Sequence, residues 1–176
     1  MPPVNQPPIH VNDRFIGDPA ALFAWIQDHV DWDTRMKARM TASFGVSYDY
    51  AQMSYEPLPM PAVLRDIADR VESELGFLPN NCLLNRYPDG QSSMGFHSDE
   101  VAQLVPGTGV AIVSVGATRS IAFRLKADKA VQFDCPLPAG SLLYMSDQVQ
   151  QDWLHAIPRD DDAGERISLT FRALST

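Results

Sequence analysis

The sequence predicts an α+β protein in which an antiparallel sandwich or jelly roll carries two N-terminal helices on one outer face. Two amphipathic helical patterns occur in the first 76 residues, and short β-rich segments follow them. No helical pattern separates these segments, whereas parallel strands need crossover connections of a dozen or more residues. The β half is therefore expected to be antiparallel. A chain of 176 residues with 45% hydrophobic side chains suits one domain, spanning 1–176.

The first element is expected to be a tail, because residues 1–12 are rich in proline and lack a helical pattern. A helix then begins at Asp18 and Pro19, which suit the N-cap and the first helical position. Its apolar face consists of Leu22, Phe23, Trp25, Ile26 and Val30. A second helix begins near Pro61 and ends at Gly76, since glycine often follows the last turn of a helix. Its apolar residues recur at three- and four-residue spacing: Leu64, Ile67, Ala68, Val71 and Leu75.

From residue 81 onward the pattern favours strands. Short runs of apolar and β-branched residues alternate with segments rich in proline, glycine and aspartate, which are typical of turns. The predicted strands are 82–87, 110–115, 120–125, 130–133, 141–145, 153–157 and 167–173. The two preceding helices would cover one outer face of such a set.

Composition restricts the classes of function. The net charge of −8 disfavours binding to nucleic acid or lipid by bulk charge alone, so any basic surface must be local. The N-terminus has no signal-peptide pattern, and no apolar run approaches the length of a membrane span. Cys82 and Cys135 lie in apolar strand-like runs typical of buried, inert thiols. We expect a monomer without membrane contact in a reducing, cytoplasmic compartment.

Two histidines lie in the β-rich half, and one of them precedes an aspartate at a spacing typical of metal ligands. Residues i and i+2 of an extended segment point to the same side, so His97 and Asp99 would converge. His155, on a later predicted strand, is a candidate third ligand. Two imidazoles and one carboxylate leave coordination positions open, as in non-haem Fe(II) oxygenases. The His-x-Asp pattern also occurs often by chance. By itself it is therefore compatible with a protein that binds no metal at these residues.

The last predicted strand alternates strictly between polar and apolar residues. Arg166, Ser168, Thr170 and Arg172 share one face, and the intervening residues share the other. One interpretation is an outer strand with a solvated polar face. The other is a pair of guanidinium groups that hold a dicarboxylate, because arginine forms bidentate bonds with carboxylates.

Taken together, these motifs resemble the AlkB-like Fe(II) and 2-oxoglutarate dioxygenases, in the branch of the homologue-2 and homologue-3 repair demethylases. The likeness covers residues 32–171, and its order and spacing agree with the family throughout. The motifs that carry it are Asn-Arg-Tyr-Pro-Asp-Gly at 85–90, His-Ser-Asp at 97–99, Val-Ser-Val-Gly at 113–116, Trp-Leu-His at 153–155 and the alternating segment 166–172.

The resemblance implies a double-stranded β-helix in which His97, Asp99 and His155 bind Fe(II). It also implies oxidative demethylation of N-alkylated bases in DNA or RNA, with 2-oxoglutarate as cosubstrate and O2 as oxidant. Arg supplies charge-assisted bonds to a carboxylate, and Tyr and Asn add neutral ones. The positions that match the family's 2-oxoglutarate contacts are Asn85, Tyr87, Arg166, Thr170 and Arg172.

The substrate side is expected to lie in segment 41–50, which resembles the family's first substrate lid. Tyr48 and Tyr50 are the candidates for stacking on an extruded base, although such alternating tyrosines also line ordinary hairpins. Arg35, Lys37 and Arg39 form a basic strip before it that could meet phosphates or simply face solvent.

One position departs from the family pattern. Val101 stands where relatives carry an acidic residue that helps to recognise the damaged base. Glu100 could take part of that role, but neighbouring residues on a strand point in opposite directions. The identity of the base therefore stays open.

Two other functions compete with base demethylation. The same cofactors could serve a hydroxylase or demethylase of a protein or small molecule. A jelly-roll binding module with a structural metal is a third possibility, although structural sites are usually closed and rich in thiolates.

Overall fold

The computed structural model describes residues 5–50 and 53–176, without the side chain of Tyr50. It contains three helices among these residues: α1 (Pro19–His29), α2 (Ala62–Leu75) and α3 (Asp147–Asp152). The strands, in chain order, are β1 (His10–Asn12), β2 (Met40–Gly45), β3 (Tyr48–Tyr50), β4 (Met53–Tyr55), β5 (Asn81–Tyr87), β6 (Met94–His97), β7 (Val110–Gly116), β8 (Arg119–Leu125), β9 (Gln132–Leu137), β10 (Leu142–Met145), β11 (Trp153–Ile157) and β12 (Arg166–Arg172).

The strands form two antiparallel sheets and a separate hairpin, which confirms the α+β class with antiparallel strands. The larger sheet has the order β1-β10-β7-β12-β5-β2, and the smaller has the order β6-β11-β8-β9. Within the described residues, strands β3 and β4 pair with each other and with no other strand. Neighbours in the sheets are often far apart in the chain, as in a jelly roll, so strands from both halves of the sequence meet at the centre.

Helices α1 and α2 cover the outer face of the larger sheet, as predicted. Asp18 caps α1 by accepting a hydrogen bond from the backbone N–H of Ala21 at 3.0 Å. Gly76 ends α2 with φ of 86°, a conformation that favours glycine. Leu64 and Val71 of α2 have no exposed surface and pack in one core with Leu169 and Phe171 of β12. This core fixes the apolar face of β12 against the helices.

A second core lies on the other face of the larger sheet, and both sheets contribute to it. Leu83 and Ile112 come from the larger sheet, and Ile121 and Phe123 from the smaller. Since β12 lies between β5 and β7 and all seven of its residues are buried, its polar face points into the protein. The interpretation of this strand as an outer strand with a solvated face is therefore wrong.

Three predicted elements differ from the structure. Residues His10–Asn12 do not belong to the tail expected over 1–12, because they form β1 and pair with β10. The segment predicted at 130–133 is instead β9, Gln132–Leu137, which includes Pro136. Proline fits there because β9 is an edge strand whose outer N–H groups need no partner in the sheet. Residues 41–45 of the expected lid belong to β2, which pairs with β5.

Candidate active site

The side chains of His97, Asp99 and His155 meet between the two sheets. His97 and His155 are paired residues of β6 and β11, and their ring centroids lie 4.3 Å apart. Asp99 follows β6 by two residues and turns its carboxylate toward them. One ligand atom from each residue lies within 4.8 Å of the others. Two imidazoles and a carboxylate on one side of a cation would leave the other side open to ligands.

The surroundings of both imidazoles suit metal binding. Burial, together with the nearby His97, lowers the pKa of His155 to about 3, so this ring is neutral at pH 7. The Nδ1 atom of His97 lies 2.8 Å from the carbonyl oxygen of Gly95. A carbonyl oxygen only accepts, so Nδ1 carries the proton of this hydrogen bond and Nε2 is the ring nitrogen that could bind a metal. A hydrogen bond of this kind commonly orients a metal-binding histidine.

Asp99 is held from two directions. The Nε of Arg172 donates to its Oδ2 at 2.6 Å, and both side chains are nearly buried. Its backbone N–H donates to Oε1 of Gln150 in α3 at 2.7 Å. Burial by itself raises the pKa of the Asp99 carboxyl, but the positive charge of Arg172 and its hydrogen bond to the carboxylate outweigh burial, so the pKa lies below its usual value. Asp99 is therefore an anion at neutral pH.

An inner cavity adjoins this group, and His97 and His155 contribute to its lining. Its empty space amounts to about 400 Å³, including open solvent. The polar face of β12 forms much of its wall, because β12 is the central strand and this face points toward the smaller sheet. Besides the two histidines, the polar residues that line the cavity are Asn85 and Tyr87 of β5 and Arg166, Ser168, Thr170 and Arg172 of β12. The structure therefore brings all five residues that match the family's 2-oxoglutarate contacts to one cavity.

Arg166 has hydrogen-bonding capacity that the protein does not use. It is 1% exposed, and its Nη2 donates to Oγ of Ser114 at 2.9 Å. Its Nε and Nη1 are buried and have no hydrogen-bond partner among the described residues. Burial lowers the pKa of Arg166 and the positive charge of Arg119 adds to this effect, whereas the neighbouring Tyr87 hydroxyl opposes it. Buried donors usually have partners, so this guanidinium is suited to an anionic ligand.

Tyr87 lies between two buried guanidinium groups. Arg166 and Arg119 place their guanidinium carbons 5.1 Å and 5.6 Å from the centroid of its ring. Arg119 donates to the backbone carbonyls of Ser92 and Pro158 at 2.9 Å and 2.5 Å. Within the described part of the chain, neither arginine has a carboxylate within 4.0 Å. The inner cavity is consequently electropositive at this end.

An outer cavity opens to solvent on the other side of the histidines. It encloses about 840 Å³, including open solvent, and its wall contains Arg39, Tyr48, Asp49, Phe96 and Glu100 among other residues. Met94 and His97 line both cavities. The three candidate metal ligands thus lie where the inner cavity meets the more open outer one.

The residues predicted for substrate binding are only partly placed by the structure. Tyr48 lines the outer cavity, but it is 8% exposed and the guanidinium of Arg172 lies 4.9 Å from its ring centroid. The side chain of Tyr50 lies outside the described residues. Glu100 also lines the outer cavity and accepts a hydrogen bond from Gln103 at 3.0 Å. Val101 begins a short 3-10 helix and is not part of the lining.

The basic strip expected at 35–39 is not a continuous charged surface. Arg39 is buried, and it donates to Oδ1 of Asn85 at 2.8 Å and to the carbonyl of Ser93 at 3.2 Å. Arg35 forms an ion pair with Asp33. Arg39 therefore orients a residue of the inner cavity, and Arg35 has an acidic partner.

Sequence reasoning missed several residues of the site. Gln150 and Arg119 lie in segments that have no recognisable motif, and their roles depend on contacts with loops distant in the chain. Phe96 precedes His97 on β6 and is 39% exposed. The guanidinium carbon of Arg124 lies 4.1 Å from the centroid of its ring. An aromatic residue beside a candidate ligand is the one signal that could have indicated Phe96.

Comparisons with known proteins agree with this geometry. Residues 21–172 match the model of the 2OG-Fe(II) oxygenase superfamily. The chain belongs to this superfamily. A solved structure of OsALKBH1 is similar in fold, with a TM-score of 0.73 and 16% sequence identity, and the match covers 96% of this chain and 97% of that one.

Within the superfamily the chain is AlkB-like. It is 35% identical over 138 residues to human DNA oxidative demethylase ALKBH2, covering 74% of this chain and 53% of that protein. It is 34% identical over 152 residues to human alpha-ketoglutarate-dependent dioxygenase alkB homolog 3. That match covers 80% of this chain and 53% of the human protein. The chain spans about half the length of these curated relatives.

The superfamily uses Fe(II), 2-oxoglutarate and O2, and the residues present fit them. The ligand set of two imidazoles and one carboxylate suits Fe(II). The unused donors of Arg166 suit a carboxylate of 2-oxoglutarate. A search of the described residues for membrane-spanning helices finds none of sufficient length and apolarity.

Proposed function

We propose that the protein is an Fe(II)- and 2-oxoglutarate-dependent oxidative demethylase of N-alkylated bases in DNA or RNA. The observation that carries this proposal is the position of His97, Asp99 and His155 between two cavities of different character. The inner one is enclosed and has unused cationic donors, and the outer one is open and large enough for a ligand of base size. The name of one similar human protein, DNA oxidative demethylase ALKBH2, supports this class of substrate.

The metal would be bound by Nε2 of His97, a carboxylate oxygen of Asp99 and the ring of His155. When bound, Fe(II) with 2-oxoglutarate and O2 would supply the oxidation of the N-linked methyl group, which then leaves as formaldehyde. The neutral ring of His155 and the ionised carboxylate of Asp99 are in the protonation states that metal binding requires. Arg172 would hold that carboxylate in place.

In this proposal 2-oxoglutarate occupies the inner cavity. Arg166 would bind one carboxylate through Nε and Nη1, because these donors are buried and lack protein partners. Thr170 and Tyr87 would add hydroxyl donors, and Asn85 an amide whose oxygen is already engaged by Arg39. The enclosed position excludes bulk water, which strengthens each of these charged hydrogen bonds.

The alkylated base would enter the outer cavity. His97 and Asp99 line this cavity, so a base bound there lies beside the metal site. Tyr48 and Phe96 offer aromatic surface, and Glu100 offers negative charge to a base that is cationic when alkylated. The net charge of −8 favours local contacts with a flipped or single-stranded base over extensive phosphate contacts.

We extend the proposal to a monomer in a reducing, cytoplasmic compartment. Both cysteines are free and buried, and burial raises their pKa values above the usual thiol value. Thiols of this kind are typical of proteins that carry no structural disulfides. Light scattering of the purified chain and fractionation of the source cells test these two statements.

The test is demethylation of defined oligonucleotides. DNA and RNA strands that carry N1-methyladenine or N3-methylcytosine are incubated with the protein, Fe(II), ascorbate and 2-oxoglutarate, and mass spectrometry measures the restored base. We expect base restoration with release of formaldehyde and succinate. His155→Ala should be inactive, and His29→Ala, a histidine substitution far from the site, should retain activity.

Two results would contradict the proposal in different ways. Succinate formation without restoration of any methylated base would favour the alternative of a protein or small-molecule substrate. Absence of both iron-dependent succinate formation and base restoration would contradict the catalytic assignment and leave a binding module with a structural metal.

A further inference from the structure

A buried glutamine connects two candidate metal ligands that belong to different segments. Gln150 lies on α3, which joins β10 to β11, and it is 1% exposed. Its Oε1 accepts the backbone N–H of Asp99 at 2.7 Å, across 51 residues of sequence. His155 follows Gln150 by five residues on the strand that leaves α3. The segment that carries one ligand therefore also holds the backbone of another.

Asp99 needs such a contact because it lies outside regular structure. Strand β6 ends at His97, and the 3-10 helix begins only at Val101. No strand pairing fixes the backbone between them, whereas His97 and His155 are fixed by pairing with each other. Arg172 holds the carboxylate of Asp99 at 2.6 Å, but a contact at the end of a side chain does not set the position of its backbone.

The support for Gln150 is itself anchored. Nζ of Lys126 donates to the backbone carbonyl of Gln150 at 2.9 Å, and the backbone N–H of Lys126 donates to the carbonyl of Asp152 at 2.9 Å. These bonds tie α3 to the end of β8. Nε2 of Gln150 lies 3.7 Å from Sδ of Met145, and a thioether sulfur is only a weak hydrogen-bond acceptor. The strong hydrogen bond of the buried side chain is the one to Asp99.

We propose that Gln150 is a positioning residue that sets the distance between Asp99 and His155 and thereby the affinity of the metal site. This inference rests on the proposed metal ligands. Groups that orient ligands in this way typically change metal affinity by about 10–100-fold when they are removed. Gln150 itself does not touch the metal or the substrate in this proposal.

The test is a titration of the whole chain with Co(II), in which the visible absorption bands of the bound ion report binding. Gln150→Met keeps the length of the side chain and removes the acceptor, and we expect Co(II) affinity to fall by about tenfold or more with altered bands. Gln150→Glu keeps an acceptor at the same position, so it should restore most of the affinity. Gln148→Met is the matched control, because Gln148 is an exposed residue of the same helix whose amide bonds Asp152.

A second variant covers the case in which Gln150→Met does not fold. Gln150→Asn remains polar but is shorter by one methylene, so its amide does not reach the N–H of Asp99, and we expect weaker Co(II) binding here too. If Gln150→Met or Gln150→Asn folds and binds Co(II) with the affinity and the absorption bands of the wild type, Gln150 does not have the proposed role. A Glu variant as weak as the Met variant would overturn it as well.

The proposed metal site fails by a different result. If the wild-type chain does not bind Co(II), or if His155→Ala binds it as well as the wild type, the ligand assignment is wrong and this inference falls with it. If wild type binds and His155→Ala does not, the ligand assignment stands, and the Gln150 variants decide the positioning role alone.

Discussion

Replacing Arg166 by methionine is expected to abolish 2-oxoglutarate binding without destabilising the ligand-free protein. Nε and Nη1 of this residue are buried without partners among the described residues. A buried donor without a partner costs about 1–3 kcal/mol, so the two together oppose folding by roughly 2–6 kcal/mol. Methionine removes both, but it also sacrifices the bond to Ser114, about 1.5–3 kcal/mol because its donor is charged. It loses the contact with the Tyr87 ring as well, about 2 kcal/mol, so gains and losses roughly balance.

The loss of affinity follows from the same two donors. Hydrogen bonds to charged groups contribute about 1.5–3 kcal/mol each, so losing both weakens 2-oxoglutarate binding by about 100-fold or more. Arg166→Lys keeps the positive charge but offers no bidentate fork, so about one of these bonds is lost and affinity falls by roughly tenfold or more.

Thermal unfolding with Mn(II) in place of Fe(II) measures both effects. A ligand at about 100 times its Kd stabilises the native state by about 2.7 kcal/mol. For a protein of this size that corresponds to a rise in Tm of roughly 5–11 °C. We expect this rise in the wild type and at most about 2 °C in Arg166→Met. Arg86→Met is the matched control, because Arg86 pairs with Glu165 at 2.8 Å and does not line the inner cavity.

Two results would refute this reasoning. If Arg166→Met shows the wild-type rise in Tm with 2-oxoglutarate, the carboxylate binds elsewhere. If the ligand-free variant unfolds more than about 10 °C below the wild type, the unpartnered donors do not oppose folding as calculated.

Three further predictions concern the site and the fold. Asp99→Ala should abolish Co(II) binding and also lower the free energy of unfolding by about 3–5 kcal/mol, measured in urea, because it removes the buried partner of Arg172. Tyr48→Leu should weaken 2-oxoglutarate binding severalfold in calorimetric titration as well as slowing demethylation. The Tyr48 ring lies against Arg172, which lines the inner cavity and matches one of the family's 2-oxoglutarate contacts; unchanged cosubstrate affinity would contradict this. Gly45→Ala should lower the free energy of unfolding in urea far more than Gly76→Ala. Both glycines have positive φ, but of the two only Gly45 would place the new Cβ 2.1 Å from a backbone oxygen. Equal losses of unfolding free energy would disprove the steric cause.

Local patterns predicted the elements that depend on neighbouring residues. The boundaries of α1 and α2 follow from Asp18 and Gly76, because helix caps act within one turn. The sequence misplaces the edge strand β9 because Pro136 is typical of a turn, so the predicted strand ends before it. An edge strand nevertheless accepts proline. Strand β1 was missed because three residues carry too little periodicity to be distinguished from a tail.

The sequence by itself determined which residues share a face and which can act as metal ligands. Alternation placed Arg166, Thr170 and Arg172 together, and the His-x-Asp spacing placed His97 beside Asp99, because both depend only on the geometry of an extended chain. These relations hold in any fold that keeps those segments extended.

Only the tertiary structure decided what these faces meet. The polar face of β12 is buried because β5 and β7 flank it and the smaller sheet lies over it, which no local pattern contains. Asp99 is held by Arg172 and Gln150, 73 and 51 residues away, and Tyr48 lies against Arg172 instead of projecting freely. Such contacts arise from the order and register of strands, and these are fixed by burying both cores at once, so the site's electrostatics exist only in the folded chain.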